Sequence, residues 1–210
     1  MRHLLLAAVL PLALAACGAD SVWAPDAEVA RAAYVTGEPA SITLFTVVRK
    51  NGGSGAHSGL MIDGHQRVMF DPAGTWHHPG VPERNDVHYG LTPRMRAFYI
   101  DYHARETFDV IETKVPVSAA VAEAAIARVQ ANGAVNKALC GNAISAVLRD
   151  LPGFESIPHT FFPGRIDRAF AKLPGAETRV HQDGDPDNNS GVLIVQAREA
   201  APKDAFLERR

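Results

Sequence analysis

The chain of 210 residues holds two cysteines, Cys17 and Cys140, in very different surroundings. Cys140 lies in Leu139-Cys140-Gly141-Asn142-Ala143, at the expected start of a helix. Unpaired N–H groups and the positive end of the helix dipole meet there and favour thiolate over thiol, which makes a better nucleophile. A thiol nucleophile needs a general base nearby, and His57 is the histidine best placed on a regular element, an extended run from Ala56 to Ile62. Asp71 closes the next extended run. If the connecting loop holds three residues, Asp63-Gly64-His65, Asp71 faces His57 directly and can orient its ring; a two-residue turn puts Phe70 there instead.

The elements that must position these groups can be traced along the chain. Ser41–Val48 is rich in β-branched and aromatic residues and predicts a buried strand. Ala56–Ile62, Asp63-Gly64 and His65–Asp71 form a hairpin, because glycine accepts the positive φ of a tight turn. Residues 72–95, with four prolines, three glycines and three histidines, predict an irregular loop. Arg96–Ile100 and Phe108–Val115 are strand candidates. Ser118 can cap a helix reaching Ala131, a second helix runs from about Cys140 to Leu151, and a third covers Ile166–Leu173. Val192–Gln196 is a last strand candidate. There are no internal repeats, so the expected class is α+β, an antiparallel sheet packed against a few helices.

The first residues have another purpose. A charged start, Met1-Arg2-His3, precedes an apolar run from Leu4 to Ala13 and the small-residue site Leu14-Ala15-Ala16-Cys17. That order is an export signal, and the run is shorter than the roughly 20 apolar residues of a permanent span. Leu14-Ala15-Ala16-Cys17 resembles the bacterial lipobox, which implies lipidation of Cys17, removal of residues 1–16 and, with Gly18 next, a place at the outer membrane facing the periplasm. Residues 17–40 are then a membrane tether, with a short helix about Ala27–Tyr34; residues 41–175 are the catalytic domain and 176–210 a C-terminal segment. With Cys17 in a lipid bond, Cys140 has no partner within the chain in a compartment where thiols usually pair. A net charge of -2 and no basic cluster exclude nucleic acid as a partner.

A hairpin with His57-Ser58-Gly59-Leu60 in its first strand and a polar residue late in its second resembles the histidine strand pair of NlpC-type papain-like enzymes. In the common members the cysteine helix comes first. Here His57 precedes Cys140, the order of the circularly permuted members that include relatives of lecithin:retinol acyltransferase. Cys140-Gly141-Asn142-Ala143-Ile144 resembles their cysteine segment, and Phe162-Pro163-Gly164-Arg165-Ile166 a Pro-initiated helix that follows it. The likeness covers about residues 41–173. It departs at Leu139, where many permuted members have asparagine, and at Asp71, where histidine is commoner.

The resemblance implies a thiol hydrolase or acyltransferase working through a thioester, without metal or cofactor. Cys140 attacks, His57 moves the proton, Asp71 fixes the tautomer, and the substrate is a peptide or lipid of the envelope. Two other readings remain open. A metal hydrolase would draw on His65, His77, His78, His88 and His103 around Asp71 and Asp86, although their spacing fits no established pattern. A non-catalytic module would bind a peptide or lipid on the same fold.

Overall fold

In the computed structural model, which describes Ala19 and residues 21–200, the chain is an α+β domain. Cys17 and its signal segment lie outside the described residues. In chain order the elements are α1 (Asp26–Ala32), β1 (Ser41–Arg49), β2 (Gly55–Asp63), β3 (Arg67–Phe70), β4 (Glu83–Arg84), β5 (Val87–Tyr89) and α2 (Pro93–His103). They continue with β6 (Phe108–Pro116), α3 (Ala119–Ala131), α4 (Cys140–Arg149), α5 (Pro163–Phe170), β7 (Glu177–His181) and α6 (Asn189–Ala200). The seven strands form one sheet in the order β4-β5-β3-β2-β1-β6-β7, and every pairing is antiparallel.

β1 lies inside the sheet between β2 and β6 and is buried on both faces, as a doubly covered strand must be. Its even-numbered side chains, Ile42 and Leu44, join Leu60, Ile62, Val68 and Phe70 under α3, α4 and α5. Its odd-numbered ones, Phe45 and Val47, join Met61, Met69 and Val110 under α2, with α6 behind it. Ile144, Val147 and Leu148 plant α4 on the first face, so the position of Cys140 follows from core packing.

Several local expectations change. Arg96–Ile100 is helical, not a strand: Thr92 accepts a hydrogen bond from Met95 N–H, and Pro93 starts the helix with φ already set. The expected loop at 72–95 carries the small hairpin β4–β5, which extends the sheet beside β3. Val192–Gln196 lies inside α6, where Gln196 reaches Phe98 O at 2.9 Å and Asp101 Oδ2 at 2.8 Å. The strand of the C-terminal segment is instead β7, with no buried residue to mark it. The third helix starts at Pro163, three residues earlier than its apolar spacing suggests. Part of the segment read as a tether is held by the domain, since Ala24 N–H donates to Glu83 O and Arg67 N–H to Tyr34 O.

Candidate active site

The histidine hairpin has a three-residue loop, but the loop is Gly64-His65-Gln66, because Asp63 pairs with Arg67 and Leu60 with Phe70. Continuing this register places Gly59, not His57, opposite Asp71, and the expected direct pairing is corrected by one step along each strand. The two groups still meet. His57 and Asp71 remain on one face as diagonal neighbours, a relation within reach of long side chains. His57 Nε2 lies 2.7 Å from Asp71 Oδ1.

Pairing between β2 and β3 stops at Leu60 and Phe70, so the Gly55–Gly59 half of β2 has no neighbouring strand on that edge. The N-terminus of α4 comes to this opening. Cys140, 6% exposed, lies close enough to His57 and to the backbone N–H groups of Ser58 and Gly141 for all three to act on the thiol. With Nε2 turned to Asp71, Nδ1 is the ring nitrogen left for the thiol. Sulfur, imidazole and carboxylate thus form one relay across the open edge of the sheet. Gly141 permits the close approach of the neighbouring loop: a Cβ there would lie 2.6 Å from Phe161 O.

The site has two further members on α2: Tyr99, which the sequence did not mark as a site residue, and His103, which it offered only as a metal ligand. Tyr99 O–H donates to Asp71 Oδ1 at 2.8 Å, and the His103 ring stacks on His57 with centroids 5.5 Å apart and planes 8° apart. Tyr99 and His103 are four residues apart and so share one helix face. Reading Arg96–Ile100 as a strand concealed that relation; the Thr92-Pro93 helix start was the available signal. Gly59 explains why a glycine follows His57 by two positions, since a Cβ would sit 2.4 Å from the Tyr99 hydroxyl. His103 Nδ1–H donates to Tyr99 O at 2.8 Å, which fixes its tautomer.

The electrostatics divide the groups by charge. Burial opposes a charge on His57, but the Asp71 carboxylate, with help from Cys140, holds its pKa up at about 10. Burial opposes the Asp71 charge as well, and His57 overcomes it, keeping that carboxyl well below the usual carboxylate range. Burial raises the Cys140 thiol, yet the hydrogen bond and charge of His57 bring it below its ordinary value. Burial depresses His103 to about 4, so the stacked partner of the His57 cation is neutral. Each shift favours a thiolate–imidazolium pair backed by carboxylate over the neutral thiol and imidazole.

These titrations have opposite signs. Asp71 adds stability above the ordinary carboxylate pKa of about 4, and loses it as pH falls through its lowered folded value. His57, raised, adds its full contribution below about 6.5 and loses it as pH climbs through 10. His103, lowered, costs stability as pH drops from about 6.5 towards 4, because the unfolded chain protonates first. Urea midpoints measured in Cys140→Ser, where the thiol no longer titrates, are expected to peak near pH 6.5. The alkaline decline should vanish on adding Asp71→Asn, and a flat profile between pH 6.5 and 10 without that change would contradict the ion pair.

The other histidines disperse. His65 bonds exposed Glu123 at 2.5 Å, His77 is exposed, and His78 Nε2 donates to Gln196 O at 3.3 Å. His88 is buried edge-on to Trp76. Asp86 ties down the loop beside the site, accepting from Val135 N–H at 2.7 Å and Ala73 N–H at 3.4 Å. Among the described residues, His103 alone of the five joins His57 and Asp71 with all three ligand atoms within 4.8 Å. There the 2.7 Å between His57 Nε2 and Asp71 Oδ1 is a hydrogen-bond length, shorter than two ligands of one zinc ion keep. Set against family models, curated proteins and solved structures, the chain matches none.

Proposed function

We propose that the protein is a thiol hydrolase or acyltransferase of the bacterial envelope, held by lipid on Cys17 at the outer membrane, that cleaves an amide or ester of a cell-wall peptide or lipid. The observation that carries this reading is the grouping of Cys140, His57 and Asp71, the ring bonded to the carboxylate and next to a thiol at a helix N-terminus. A papain-like fold with the histidine hairpin ahead of the cysteine helix agrees with the element order.

The Cys140 thiolate attacks the carbonyl carbon and a C–S bond forms. N–H groups of the first turn of α4, whose first helical bond is from Ala143 to Leu139 O, face the developing oxyanion. His57 gives its proton to the departing nitrogen or oxygen as that bond breaks. Water, or an amine or alcohol, then attacks the thioester while neutral His57 takes its proton, and the thiolate returns. Asp71 keeps the ring oriented, and Tyr99 keeps Asp71 oriented.

The test is acylation with p-nitrophenyl acetate. The expected result is a burst of one p-nitrophenol per protein and an acetyl mass increase on the Cys140 peptide; absence of both in folded protein overturns the reading. The anchor has its own readout: labelling in cells with an alkyne fatty acid should be lost in Cys17→Ser.

A further inference from the structure

Beyond the exposed edge of His57 lies a cavity of about 390 Å³, towards the lower end of the usual range for ligand sites. β1 and β2 contribute Val47, Ala56 and His57 to it, the loop after Asp71 adds Gly74 and Thr75, and the end of α2 adds His103. Arg105 closes it. Its lining includes no carboxylate, and two of its side chains, His57 and Arg105, carry positive charge. Arg105 is 3% exposed; its terminal nitrogens face Asp101 at 2.6 Å and Asp185 at 3.6 Å, outside the lining, while its Nε is buried with no protein partner. An unpartnered guanidinium N–H is an expensive group to bury, and a carboxylate is its natural complement.

Chemistry fixes which half of a substrate can lie here. The proton on His57 must reach the departing atom, so the leaving group extends past the imidazole. We propose that this cavity holds the leaving half of the substrate and selects an amine that bears a carboxylate, as in an N-acyl amino acid or a peptide cut before its C-terminal residue. The inference rests on the thioester reading above and adds the substrate class. In balance, R–CO–NH–R′–COO⁻ reacts with the Cys140 thiolate and the His57 proton to give the thioester and H₂N–R′–COO⁻. Water then gives R–COO⁻, and one proton passes to the solvent.

The site that releases an amine also admits one, so the acetyl-enzyme formed from p-nitrophenyl acetate provides a test without knowing R. Glycine, 3-aminopropanoate and 4-aminobutanoate are each compared with their own amides at equal free-base concentration, and the N-acetyl products are counted by mass spectrometry. At least one acid should capture the acetyl group about tenfold better than its amide, a charge-assisted bond being worth roughly that much. The preference should fall to about twofold or less in Arg105→Met and in Ala56→Asp, which sets a carboxylate at an exposed point of the lining. Ala56→Asp keeps the test open if the buried arginine is needed for folding. A burst with equal capture of acids and amides overturns this proposal alone. Absence of the burst overturns the thioester reading, and the proposal with it.

Discussion

Cys140→Ser is expected to lower turnover by about 10⁴-fold to 10⁶-fold, the range seen when a covalent nucleophile is removed from an assembled site. The serine hydroxyl would occupy the same opening beside β2, with the same N–H donors at Ser58 and Gly141, so stability and substrate binding should change little. What is lost is the ionised nucleophile: the thiol pKa lies within reach of its neighbours, whereas a hydroxyl cannot be ionised by one imidazole at neutral pH. The measurement is steady-state kinetics with a denaturation curve for each protein. Residual activity within tenfold of wild type would mean that the chemistry occurs elsewhere.

Gly74→Ala should abolish the proposed activity without touching sulfur or imidazole. A Cβ on Gly74 would lie 1.8 Å from Asp71 Oδ2 and 2.3 Å from its Cγ, so the carboxylate must leave its place. Asp71 is 1% exposed and bound by His57 and Tyr99 through Oδ1, so displacing the carboxylate disturbs both bonds. Overpacking of this kind costs about 1–3 kcal/mol in stability. Freeing the imidazole from its carboxylate should cost about 10²-fold to 10⁴-fold in turnover. The pH dependence separates positioning from general damage: in Gly74→Ala the His57 pKa should fall from about 10 towards its ordinary range, as read by imidazole NMR. Tyr99→Phe should act in the same direction, more weakly, because it removes one hydrogen bond from Asp71 and displaces nothing.

Much of this arrangement was legible in the sequence because two independent patterns fix it. The alternation of β2 and the Asp63-Gly64 signal bring His57 and Asp71 to one face, and that conclusion survives the register correction, since the true pairing differs by an even number of residues. The capless start of α4 at Cys140 follows from the apolar spacing of Ile144, Val147 and Leu148. The contribution of α2 was illegible for a physical reason: Phe98, Tyr99 and Ile100 are residues that strands favour, and tertiary packing on Phe45 and Trp76 decided otherwise. β7 escaped notice because Glu177-Thr178-Arg179-Val180 has no apolar face; its partners on β6 hold it in place. In α6 the run Val192–Val195 imitates a strand, and the polar contacts of Gln196 with α2 show why it is a helix.

The central claim is that Cys140 and His57 share one proton as a thiolate–imidazolium pair. Thiolate absorbance near 240 nm, titrated in wild type against Cys140→Ser in the chain without its signal segment, measures this directly. The predicted difference spectrum shows a thiolate midpoint below the ordinary thiol value of about 8.5 that moves up in His57→Ala. A midpoint at or above 8.5, unchanged by His57→Ala, would contradict the account.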